Sequence, residues 1–137
     1  MRISREQARD RFTRARVARL ASADALGRPH VVPIVFAVSG DELITAVDWK
    51  PKSSATLRRI RNIEENPQVS ILVDHYDEDW AQLWWARADG TASVRENHPL
   101  LDALIAKYPQ YQGEPPGGSL VAVQVQRWSG WATSSEV

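Results

Sequence analysis

Lys50-Pro51-Lys52-Ser53-Ser54 gathers two ammonium groups and two hydroxyls just ahead of a segment with helical periodicity. Free N–H groups at a helix start and the helix macrodipole attract phosphate, and lysines add point charge without demanding a fixed geometry. The spacing describes an anion cradle. It equally describes a capped helix preceded by two solvated lysines, and the residues alone do not choose between the two. The chain holds 14 arginines against 3 lysines, so a close lysine pair stands apart.

Six tryptophans are a second chemical resource. Trp80, Trp84 and Trp85 lie on or beside one long strand candidate, where neighbouring side chains point to opposite faces. One indole can enter the core while the next faces a planar ligand or a partner chain. Asp74-His75-Tyr76-Asp77-Glu78-Asp79 collects one imidazole and several carboxylates. It lacks a nearby second histidine and the glycine and terminal glutamate of a calcium loop, so no metal is expected. The serines occupy no Gly-x-Ser-x-Gly elbow and there is no cysteine, which argues against a nucleophilic hydrolase. His30 and His98 sit beside a strand start and a helix cap, where structural roles are expected.

The elements that position these residues follow from patterning. Ser4 and Gln7 form a capping-box signature for a helix over 4–14. Apolar runs at 17–22, 31–38 and 42–47, separated by the turn residues 24–29 and 39–41, read as a three-strand meander. Ser53 or Ser54 opens a helix with Leu57, Ile60 and Ile63 on one face, and Asn66-Pro67 stops it. Residues 68–73 and 80–94 read as strands, the second with a bulge or a tight turn at Asp89-Gly90. Asn97 caps a helix reaching Lys107, the segment 109–118 is a loop, and 120–125 is the last strand. Six strands, two or three short helices and no βαβ alternation give a mostly β fold, an antiparallel barrel.

The length of 137 residues fits one domain, and 17 basic against 17 acidic residues leave no electrostatic footprint for general nucleic-acid or membrane-surface binding. Any anion site is local. No cysteine, no signal-peptide pattern and no bilayer-length apolar stretch make the cytoplasm the expected compartment.

Taken in order, three stretches carry a resemblance over nearly the whole chain. They are Ala18-Arg19-Leu20-Ala21-Ser22 with Gly27-Arg28-Pro29-His30-Val31-Val32-Pro33, then Lys50-Pro51-Lys52-Ser53, then 62–73 from Asn62 to Val73. The set resembles the pyridoxamine 5'-phosphate oxidase-like superfamily of split β-barrels, whose fold is that of FMN-binding proteins. Val73-Asp74-His75-Tyr76-Asp77-Glu78-Asp79-Trp80, Leu83-Trp84-Trp85 and Arg87-Ala88-Asp89-Gly90 resemble an actinobacterial group of coenzyme F420-dependent (deazaflavin-dependent) enzymes.

The resemblance implies a homodimeric oxidoreductase with two cofactor sites at the subunit interface and a small conjugated or hydrophobic substrate. It implies coenzyme F420, with FMN as the alternative, and leaves a non-catalytic cofactor-binding module as a third reading. Carried onto this chain, Thr45 and Val47 line the cofactor, and Lys50, Lys52, Ser53 and Ser54 bind its phosphate. Pro33 sits near the ring, and Trp80 and Trp85 come from the partner subunit. The helix between Lys52 and Asn66 is longer than in simpler relatives, which brings Arg58 or Arg59 into reach of the phosphate role. The cofactor carries the hydride, while Tyr76 or water supplies a proton.

Overall fold

The computed structural model describes residues 1–47 and 54–133. The capping box forms as the sequence predicts: the Ser4 hydroxyl accepts from the Gln7 amide at 3.1 Å, and the Gln7 side chain accepts from the Ser4 amide at 2.8 Å. Helix α1 (Arg5–Arg14) follows. Its buried Ala8 and Phe12 enter the core, where Phe12 meets the Phe36 and Trp128 rings edge-on at 5.9 and 5.2 Å. Its outer side is tied down by Arg5 and Arg9, which reach the Asp41 carboxylate at 3.5 and 3.2 Å, and the Trp128 indole N–H donates to the same carboxylate at 2.9 Å.

One antiparallel sheet makes up the body: β1 (Ala18–Ala23), β2 (Pro29–Ile34), β3 (Ala37–Ser39), β4 (Glu42–Ala46), β5 (Gln68–His75), β6 (Trp84–Arg95) and β7 (Leu120–Ala132), in the order β2-β1-β5-β6-β7-β4-β3. Leu20, Ile71, Ala88 and Val123 are inward members of period-two alternations that bury one face. The fold is mostly β as expected, but the expected six-stranded antiparallel split barrel is corrected to seven strands in one open sheet. The apolar run 31–38 is two strands. Val35 and Phe36 break it because their backbone groups bond to side chains: the Thr45 hydroxyl donates to the Val35 carbonyl at 2.7 Å, and the Tyr108 hydroxyl accepts from the Phe36 amide at 3.2 Å.

The two sheet edges, β2 and β3, are therefore joined through only Val35 and Phe36. Two connecting residues reach about 10 Å at most, so the sheet must roll to bring its edges together. The bulge falls where the sequence allows one. Asp89 faces Arg127 and Gly90 faces Val125, leaving Gln126 as the extra residue on β7. A Cβ on Gly90 would collide with the Gln124 carbonyl, so this close approach requires glycine.

The β1–β2 turn is held by Asp24, whose carboxylate accepts from the Leu26 and Arg28 amides at 2.9 Å each and from the Arg28 guanidinium at 2.6 Å. These bonds, that from the Arg28 amide first and that from its guanidinium second, hold the carboxyl below the usual carboxylate range. Gly27 takes φ +80 there, which favours glycine. Helix α2 (Ser54–Glu65) covers the sheet near β1 and β6. Helices α3 (Leu101–Lys107) and α4 (Pro109–Gly113) cover the outward side of β3, β4 and β7 through Leu104, Tyr108 and Ile44.

Two local expectations change. Leu100, not Asn97, is the residue at the α3 cap position and no side chain caps that helix; just ahead of it His98 Nδ1 accepts from the Leu100 amide at 3.0 Å while Nε2 lies 2.9 Å from a Glu42 carboxylate oxygen. The loop expected at 109–118 contains α4, which Pro109 opens at a first-turn position that needs no N–H. The last strand also runs on to Ala132, and Arg2 pairs with Trp131 beside it. Among the described residues no helix is long and apolar enough to cross a membrane.

Candidate functional site

Helix α2 and the β1–β2 hairpin build a basic corner. Asn62 is buried and donates to the Ser22 hydroxyl at 3.3 Å, and a Glu65 carboxylate oxygen accepts from the Ala25 amide at 3.2 Å, which fixes the helix on the hairpin. Ser22 pairs with His30 across the ladder, so His30 faces the same side as Ser22, toward α2. Its Nδ1 is buried and has no hydrogen-bond partner among the described residues. Burial is the larger cause lowering the His30 pKa, followed by the charges of Arg58 and Arg59.

A neutral imidazole with an unengaged ring nitrogen beside two guanidinium groups suits an oxyanion. The anion would offset the two positive charges, favour the protonated ring and give Nδ1 an acceptor. Ser54, expected in the phosphate cradle, is the first residue of α2. Lys50, Lys52 and Ser53 lie outside the described residues, as does the Ser54 side chain.

The second arrangement lies on the outward face of β1, β5, β6 and β7, away from α3 and α4. A cavity of about 460 Å³ is lined there by Leu72, Tyr76, Trp85, Arg87 and Trp131 among others. The Arg87 guanidinium lies 5.7 Å from the Trp85 ring centroid and its Nε donates to Asp89 at 3.2 Å, while the Ser70 hydroxyl donates to the other Asp89 oxygen at 2.6 Å. A second cavity of about 440 Å³ continues along Ala21, Ala23, Pro29, Ser70 and Asp89. Val31, Leu72 and Trp131 leave apolar surface exposed on this face.

The remaining expected site residues divide between these places. Trp85 lines the outward cavity, and Trp80 is exposed in a 3-10 turn (Trp80–Gln82), where its indole N–H donates to the Tyr76 hydroxyl at 3.4 Å. Pro33 is exposed on β2 opposite Arg19. Thr45 and Val47 are buried on the inward side. The Thr45 hydroxyl is engaged at the Val35 carbonyl, and the Val47 amide bonds the Ser119 carbonyl at 2.8 Å. Thus Trp80 and Trp85 share the Tyr76 neighbourhood, whereas Thr45 and Val47 belong to the interior and its seam.

His30 was not marked by residue type. The signal that finds it is alternation: Ile34 and Val32 face inward on β2, and His30 is the next residue in that series. In the acidic 74–79 stretch, His75 stacks on Trp84 with ring centroids 6.1 Å apart. Among the described residues no three histidine or acidic side chains gather as a metal site.

The profile of the family described as pyridoxamine 5'-phosphate oxidase matches residues 4–132. The chain belongs to that family. No curated protein matches its sequence. Solved structures similar to this member of the oxidase family include a FAD-binding protein of Mesorhizobium loti, with 22% identity, TM-score 0.70 and 95% of each chain covered. A FAD-binding protein of Mycobacterium smegmatis has 17% identity, TM-score 0.62 and 96% of each chain covered. HutZ of Vibrio cholerae, a heme storage protein, has 22% identity, TM-score 0.64 and 95% of each chain covered. At these identities the likeness establishes the fold alone.

Proposed function

We propose that this chain binds a phosphate-bearing flavin-type cofactor and works as a deazaflavin-dependent oxidoreductase on a small conjugated or hydrophobic substrate. The observation that carries the cofactor reading is the buried Nδ1 of His30, without a hydrogen-bond partner among the described residues, beside Arg58 and Arg59 at the α2 corner. Family membership and two similar structures named as FAD-binding proteins support a flavin-type ligand. The preference for coenzyme F420 over FMN draws on the likeness of 73–90 to the deazaflavin-dependent group.

When bound, such a cofactor supplies hydride chemistry, and the protein's share is placement. Arg58, Arg59 and His30, with Lys50, Lys52, Ser53 and Ser54, hold the anionic tail. The outward face with Trp85, Leu72 and Trp131 takes a second copy of the chain, which shields the ring from water and contributes Trp80. That copy also covers the apolar surface that α3 and α4 leave open.

The test is cofactor titration of the purified protein. Saturable quenching of F420 fluorescence, weakened about tenfold in Lys52→Ala, supports the reading. Yellow protein with co-purifying FMN moves the assignment to the flavin alternative, and a Soret band on adding heme moves it to heme binding. Binding of F420 without substrate-dependent reoxidation leaves a cofactor module. Absence of all binding at high micromolar ligand, or sedimentation as a monomer at micromolar concentration, overturns the shared-site reading.

A further inference from the structure

Away from α2, the C-terminal turn of α1 meets the start of β6. Arg11 is only 5% exposed, and its Nη1 is buried without a hydrogen-bond partner among the described residues. Its guanidinium carbon lies 5.1 Å from the centroid of the Trp84 ring. A buried guanidinium ordinarily has a carboxylate or several acceptors, because leaving its donors unmet costs more than the charge-ring contact returns. Burial is the largest cause lowering its pKa, and the neighbouring Arg14 acts in the same direction.

Asp10 is the acid that acts on Arg11, but its carboxylate is held by Arg14 at 2.7 Å in an exposed pair, and such pairs are weak and easily exchanged. Arg11, Arg14, Ala15 and Trp84 line a cavity of about 330 Å³. That space matches on the order of ten water-sized groups. Two guanidinium groups and an apolar wall of indole and methyl suit a ligand with a charged end and a hydrocarbon body.

We propose that this cavity is a second ligand site, which takes a small carboxylate with an apolar body, its carboxylate held by Arg11 and Arg14 against Trp84. It is separate from the α2 corner. His75, the ladder partner of Trp84, closes the far end of β5, and eight residues of extended chain span roughly 23 Å from Gln68, where α2 has ended. The inference does not rest on the cofactor reading.

Benzoate and its uncharged amide are the probes, titrated into cofactor-free protein while the indole N–H resonance of Trp84 is followed by NMR, assigned with Trp84→Phe. The expected result is a saturable shift with benzoate at a Kd near 1 mM or below, as a rough bound for so small a ligand, and none with benzamide. Arg11→Gln should weaken benzoate at least about tenfold and Arg14→Gln about threefold. Arg14 is exposed, so its variant decides the matter even if Arg11→Gln fails to fold. Equal binding of benzamide, an unmoved Trp84 resonance, or an unchanged Kd in Arg14→Gln overturns the proposal. Loss of benzoate binding in Arg58→Gln also overturns it, since the anion would then sit at α2.

Discussion

Tyr108 and Phe36 are 72 residues apart in sequence, yet the Tyr108 hydroxyl lies 3.2 Å from both the Phe36 amide nitrogen and the Phe36 carbonyl oxygen. The hydroxyl accepts from the amide and has one proton to share between that carbonyl and the Arg16 carbonyl at 3.0 Å. Burial raises the Tyr108 pKa, so it stays protonated and keeps this donor through the neutral range. Tyr108→Phe removes the acceptor for a buried N–H and should cost about 1–3 kcal/mol. Urea denaturation checks this, and an unchanged midpoint would show that the Val35–Phe36 link needs no external partner.

Lys107 packs its ammonium 4.0 Å from the Phe36 ring centroid and 5.3 Å from that of Tyr108. Burial is the main cause that brings its pKa down to about 8, and Arg16 adds to it, while the ring faces work in the opposite direction. The unfolded chain therefore holds the proton to higher pH than the folded one, and the Lys107 contribution rises in favour of folding as pH climbs from about 8 toward 10.5. Lys107→Met should raise Tm at pH 7 by about 2–5 °C, with the gain shrinking as the pH approaches 10. Scanning calorimetry across that range reads both parts.

His30 follows the same sign at lower pH. Its folded pKa lies below 6.5, so acid protonates the unfolded chain first and stability falls as pH drops through that region. Occupation of the α2 corner by a phosphate-bearing ligand should reverse the shift and raise the His30 pKa, and affinity should grow as pH falls toward it. NMR titration of the imidazole with and without ligand is the measurement. An identical pKa in both states would remove His30 from the anion site.

Gly90 sets how closely β6 and β7 approach at the bulge. Gly90→Ala drives a methyl group into the Gln124 carbonyl and should destabilise the protein by about 2 kcal/mol or more, because backbone rather than a flexible side chain must yield. The check is the denaturation midpoint of that variant. A neutral effect would mean that the bulge can slide.

Much of this fold is legible locally. The Ser4–Gln7 capping box needs only residues three apart, and the inward series on β1, β5 and β7 needs only alternation. The division of 31–38 was not legible, since Val35 and Phe36, where it falls, both suit a strand. What interrupts it is a hydroxyl from Thr45 and another from Tyr108, placed by tertiary structure. The candidate site behaves likewise. Arg58 and Arg59 could be read as helical residues near a phosphate cradle, but their convergence on His30 depends on α2 docking at Ser22. Arg11 is similarly silent in sequence, one of 14 arginines until burial isolates it.

The short Val35–Phe36 connection has a bearing on self-association. Exposed strand edges are templates on which further chains can add and propagate as fibrils. Here the two outermost strands share a tether, and the first carries Pro29 and Pro33, which offer no N–H to an incoming chain. Growth by strand addition would therefore meet a donor-poor border on β2 and only three residues of β3 on the other, so the molecule is guarded against polymerisation by its own connectivity.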